Sequence, residues 1–92
     1  MARILKADGT ISELKGEDPK GRLTLEQMQQ AVGGYVEVIR LPLDRLQMLV
    51  DEEGGWKDLP VNETATLLYQ SNTGAGRVIK GDVVLCDYRS LR

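Results

Sequence analysis

The chain has 92 residues, with 14 acidic side chains against 12 basic ones, a net charge of −2 and a pI near 5.1. A surface built for duplex nucleic acid carries a basic surplus, because phosphate neutralisation supplies most of the affinity. DNA binding is therefore not expected, and the charge is too small for a DNA mimic.

The 41% hydrophobic and 28% charged fractions suit one soluble globular domain. A domain this small buries only about 60–65% of its unfolded surface, so self-association would add useful stability. There is no Phe, which leaves Leu, Val, Ile and Met to fill the core. Cys86 is the sole cysteine; an intramolecular disulfide is impossible, in keeping with a reducing cytoplasm. Met1–Ala7 lacks the apolar core of a signal peptide. No run approaches the roughly 18 apolar residues of a membrane span.

Ala2–Ala7 and Thr10–Leu14 flank Asp8-Gly9, a hairpin signal because both central positions of a type I′ turn take positive φ. Lys15–Arg22 is a polar Gly/Pro loop. Thr24–Val32 reads as a helix: Thr24 caps it, Gln27 completes a capping box, and Leu25, Met28 and Val32 form one apolar face. Gly33-Gly34 ends it. Tyr35–Leu41 is a β-branched strand, with Val36 and Val38 on one face and Tyr35, Glu37 and Ile39 on the other. Pro42 stops it.

Leu46–Val50 is a nearly all-apolar strand, placed centrally, followed by the acidic turn Asp51–Gly55. Trp56–Leu59 is either a short strand or a loop. Asn62 is a second N-cap, with Glu63 complementing the helix dipole, and the helix is expected over Glu63–Gln70. Ser71–Gly76 is a loop, Val78–Asp87 the last strand with a kink at Gly81, and Tyr88–Arg92 a tail. The order β-β-α-β-β-(β)-α-β predicts a single α+β domain, with two short helices over one face of a mostly antiparallel sheet of four to five strands.

Four segments carry a resemblance: Val32-Gly33-Gly34-Tyr35-Val36-Glu37, Val50-Asp51-Glu52-Glu53-Gly54, Leu59-Pro60-Val61-Asn62 with Ala65, and Lys80-Gly81-Asp82-Val83-Val84-Leu85. In this order and spacing, from about Ile4 to Leu85, the chain resembles a family of small uncharacterised proteins encoded by bacteriophages, prophages and plasmids. The resemblance implies a mobile-element origin and an α+β fold. It implies no activity, cofactor or catalytic residue.

With no histidine in the chain, Ser-His and Cys-His nucleophiles and the commonest zinc ligand are absent. The carboxylates of the acidic turn, Asp51, Glu52 and Glu53 with Asp58 and Glu63 nearby, could take a cation or act as acid and base; the simpler reading is a solvated hairpin tip. Asn62 stands at a helix start where an anion could bind, although it would cap the same donors itself. The Gly-Ala-Gly loop with Arg77 and Lys80 could wrap an anion, but no helix follows it and no nucleotide fingerprint is met. Cys86 reads as a buried, inert thiol. Tyr35 and Trp56 suit a partner interface if exposed; the simpler expectation folds Trp56 over the sheet as core.

The expectation is a non-enzymatic, cytoplasmic, homo-oligomeric binding protein of a phage or mobile element. It would occupy a host protein or a small ligand, with no metal, cofactor, DNA or membrane. One alternative is an anti-defence protein that traps nucleotides between subunits, with Arg40, Arg77 and Lys80 on phosphates and Tyr35 or Trp56 stacking a base. Another is a metal-assisted hydrolase built on Asp51, Glu52, Glu53 and Asp82. A nucleic-acid accessory is disfavoured by the acidic balance.

Overall fold

The computed structural model describes residues 2–89. Five strands and two helices follow in the order β1 (Ala2–Leu5), β2 (Ile11–Leu14), α1 (Leu25–Val32), β3 (Val36–Leu41), β4 (Leu46–Asp51), α2 (Glu63–Thr73) and β5 (Val83–Asp87). They form an α+β domain around one antiparallel sheet of order β2-β1-β5-β4-β3. The middle strand is β5; β4 lies between it and the edge strand β3 and is paired on both sides.

The helices do not share a face. One apolar cluster gathers Met28 and Val32 of α1 with Ala2, Leu23, Leu49, Val84 and Cys86. The other gathers Ala65 of α2 with Leu5, Ile39, Leu41, Met48, Val50, Ile79 and Val83. Along β4, Met48 and Val50 join the second cluster while Leu49 joins the first. Side chains alternate across a strand, so the two helices sandwich the sheet. A one-sided sheet would have required alternating polar residues in β4 and β5. Met48-Leu49-Val50 and Val83-Val84 are instead buried consecutively.

The predicted capping box forms: Thr24 Oγ1 accepts from Gln27 N–H (3.2 Å) and Gln27 Oε1 accepts from Thr24 N–H (3.2 Å). The buried Gln27 amide also holds the preceding loop, accepting from Glu17 N–H (2.8 Å) and donating to Lys15 O (2.7 Å). The loop thereby becomes a strap, and Leu23, which follows it, is buried in the α1-side core.

Helix α2 runs to Thr73, beyond the expected end at Gln70, and takes in the first three residues of the expected Ser71–Gly76 loop. Ser71, Asn72 and Thr73 bond back to carbonyls four residues earlier, at Leu67, Leu68 and Tyr69. Asn72 Oδ1 also accepts from Leu43 and Asp44 N–H, fastening the helix end to the β3–β4 turn. The last strand is shorter than the expected Val78–Asp87. Gly81 turns the chain at φ +81°, and before it Lys80 makes only an isolated bridge with Val61 while Ile79 fills the α2-side core. Trp56–Leu59 forms no strand; Trp56 and Lys57 lie in a turn and bend, and Asp58 and Leu59 are irregular. Of the Tyr88–Arg92 tail, residues 90–92 lie outside the described residues.

Candidate functional site

The most organised surface feature lies at the corner where β4 ends and β3 begins. Asp51 is buried. Its Oδ1 accepts from Glu53 N–H (2.8 Å), its carbonyl accepts from Gly54 N–H (2.9 Å), and its Oδ2 takes Lys57 Nζ at 2.7 Å. Glu53 O in turn accepts from Trp56 and Lys57 N–H, each at 3.1 Å, and Glu52 N–H donates to Tyr35 O (2.8 Å). The Asp51 hydrogen bond holds the Lys57 ammonium above its ordinary pKa. A buried carboxylate needs such partners to remain charged. Here they also fold the tip from residue 52 to 57 into a fixed shape.

Gly34 belongs to the same construction. A Cβ there would stand 2.8 Å from Lys57 Nζ and 3.0 and 3.2 Å from the two Asp51 carboxylate oxygens. Gly33, its neighbour, serves separately as the left-handed cap of α1 at φ +82°. The adjacent glycines thus have different reasons. Replacing Gly34 by Ala should push Lys57 off Asp51 and speed amide hydrogen exchange at Glu53 and Trp56, with little change in the α2-side core. Unchanged protection at those two amides would separate Gly34 from the ion pair.

On this frame Trp56 is 85% exposed and Tyr35 65% exposed. Trp56 does not fold over the sheet as core: it is exposed and belongs to neither apolar cluster. Glu52 and Glu53 lie between the two aromatics in the chain path.

The remaining candidate residues are placed differently. Asn62 is 1% exposed: its amide donates to Leu5 O and Gly81 O, both at 2.9 Å, and its Oδ1 caps α2 at Ala65 N–H (3.1 Å). Both its amide hydrogens and its carbonyl oxygen are engaged within the fold. Arg77 makes a two-armed pair with Glu37 (2.9 and 3.1 Å) and lies 5.8 Å from the Tyr69 ring centre. Its guanidinium holds the Glu37 carboxyl below the ordinary range. Arg40, at the far end of β3, lies 5.7 Å from the Tyr88 ring centre. The Lys80 carbonyl oxygen lies 3.7 Å from where a Gly54 Cβ would stand. Within one chain, Arg40, Arg77 and Lys80 do not converge on a phosphate-sized spot.

Nor do the acidic residues gather. Asp51 is held by Lys57, while Asp82 accepts from Ala7 N–H (3.0 Å) beside β1. Among the described residues, no group of three or more His, Cys, Asp or Glu is placed to hold a metal ion. Burial pushes the Cys86 thiol up to about 11, far from the thiolate range of a reactive cysteine. No helix among the described residues is long and apolar enough to cross a membrane.

Sequence reasoning singled out Tyr35, Glu52, Glu53 and Trp56, which the fold brings together. It missed Lys57, and it read Gly34 only as a helix end. A lysine six residues after a buried aspartate leaves no local periodic signal.

The geometry defines a two-helix, five-stranded antiparallel domain with an aromatic, acid-rimmed corner. The chain belongs to the family described as Domain of unknown function (DUF3846), whose model matches residues 3–90. No curated protein and no solved structure matches it.

Proposed function

We propose that this protein is a non-enzymatic accessory of a bacteriophage or related mobile element. It acts in the host cytoplasm by occupying the surface of a host protein with its Tyr35–Trp56 corner. The observation that carries the reading is Trp56, 85% exposed on a tip that the half-exposed Lys57 holds to the buried Asp51. An exposed indole on a fixed frame loses little conformational freedom on binding, and Trp and Tyr anchor most strongly cleared interfaces. Glu52 and Glu53 at the rim favour a partner whose apolar pocket is edged by Lys or Arg.

The reading predicts that Trp56→Ala abolishes, by at least tenfold in affinity, capture of a partner that the wild-type chain retains from host lysate. Charge reversal at Glu52 and Glu53 should slow association and weaken its dependence on salt. Both variants should keep the wild-type melting temperature, since neither side chain supports the core. A partner held equally by wild type and Trp56→Ala would overturn the proposal.

A further inference from the structure

The sheet has two edges, and they are unequal. Lys6 N–H donates to Thr10 O (2.9 Å), so in the alternating antiparallel ladder Thr10, Ser12 and Leu14 face β1. Only Ile11 and Glu13 present backbone groups outward along this four-residue strand. At the other edge Glu52 N–H donates to Tyr35 O, in the same register that pairs Val36 with Asp51. The odd residues of β3 therefore face β4, and Val36, Val38 and Arg40 aim their N–H and C=O groups outward. No backbone bond from a loop or turn among the described residues reaches these three. Val38, at the centre, is an apolar side chain left 48% exposed. A regular six-residue edge with an exposed valine at its midpoint is a template for another strand.

We propose that β3 pairs antiparallel with β3 of a second copy of this chain about a two-fold axis at Val38, joining the two sheets into one. The occupant is argued from register and charge. With Val38 opposite its symmetry mate, Val36 falls opposite Arg40 of the other copy, and all the outward groups of both strands are paired. In that register Glu37 meets Ile39, so no like charges stand directly opposite, an arrangement that would oppose pairing. A net charge of −2 per chain offers little long-range repulsion. The same register carries Arg40 of each copy from the far end of its strand to the partner's Val36, next to the partner's Asp51 in the sheet row. Each corner thereby acquires a second cation beside its own Lys57.

Sedimentation of the full chain across a concentration series tests this. The expected mass rises from one chain to two. Val38→Pro should remain at one-chain mass with a wild-type circular dichroism spectrum, because the lost N–H faces away from β4 and proline is tolerated at such edge positions. If Val38→Pro does not fold, Val38→Lys leaves the backbone intact and should likewise remain at one-chain mass. Val38→Cys should cross-link to a covalent dimer on mild oxidation, since hydrogen-bonded antiparallel pairs set Cα atoms about 5.5 Å apart, within disulfide reach. One-chain mass at all concentrations would overturn the proposal. So would a dimer that survives folded Val38 variants but is lost in Glu13→Pro at the opposite edge. The dimer and the Trp56 corner fail separately: sedimentation does not read partner capture, and Trp56→Ala should leave the dimer intact.

Discussion

Asn62→Ala should be the most destabilising single substitution away from the large apolar side chains. The residue joins three elements at one buried point: the end of β1 through Leu5 O, the turn before β5 through Gly81 O, and the start of α2 through Ala65 N–H. Truncation leaves two carbonyls without their donor and removes the helix cap. Buried groups left unpaired cost about 1–3 kcal/mol each and a lost cap about 1 kcal/mol. Non-additivity holds the sum to roughly 4 kcal/mol, or about 15–30 °C in melting temperature for a domain of this size.

Asn62→Asp sharpens the test. It keeps the cap acceptor but turns a carboxylate toward two carbonyl oxygens, so its folded-state pKa rises above the unfolded value near 3.9. A group raised in this way is best tolerated when protonated. The deficit should be smallest below about pH 4 and grow as pH rises, opposite to the trend of most carboxylates. Chemical denaturation between acid and neutral pH checks it. A wild-type-like midpoint for Asn62→Ala would mean that the three elements are held together without this amide.

Gly16→Ala is expected to be the second large effect, at about 2–3 kcal/mol, from overpacking rather than lost contacts. The strap doubles back so tightly that a Cβ at residue 16 would meet backbone atoms of Gly21 and Arg22, 2.5 Å from the Arg22 carbonyl carbon. Backbone cannot swing aside as a side chain can. Around this crossing, Asp18 N–H donates to Arg22 O (3.1 Å), Gly21 N–H donates to Asp18 O (2.8 Å), and the Arg22 guanidinium holds the Asp18 carboxylate. Opening it would lift Leu23 from the α1-side core and widen the cavity of about 260 Å³ lined by Ala2, Leu14 and Leu23. Gly55→Ala is the matching control, because a Cβ there meets nothing within 4 Å and φ is not positive. It should melt within a degree or two of wild type. Equal effects of the two substitutions would rule out the crossing as the cause.

Much of the architecture follows from short-range rules. Thr24 with Gln27, Gly33 after Val32 and Asn62 before Glu63 each set a helix end through bonds spanning a few residues. The local sequence therefore contains both partners. The hairpin at Asp8-Gly9 also forms, but not as the expected type I′ turn: of the two only Gly9 takes positive φ, and its N–H donates to Lys6 O (3.0 Å). The two-sided burial of the sheet was also written in Met48-Leu49-Val50 and Val83-Val84, where no polar residue alternates. Placing both helices on one face overlooked what those runs require.

Strand order was decided at longer range. That β5 rather than β4 occupies the middle depends on pairing β1 with β5 across about 80 residues of sequence, and no local pattern encodes that choice. The same holds for the corner. Composition could name Tyr35, Glu52, Glu53 and Trp56, but exposure of the indole depends on Asp51 finding Lys57 and on Gly34 leaving room for both. Asn62 shows the reverse: its helix cap was legible in sequence, yet only the packed fold brought Leu5 O and Gly81 O within reach and so committed the whole side chain to structure. Periodicity and capping act through neighbours along the chain, whereas burial, pairing order and ion pairing act through neighbours in space. Neighbours along the chain therefore set the elements and most of their ends, and neighbours in space settled which side chains remain available to a partner.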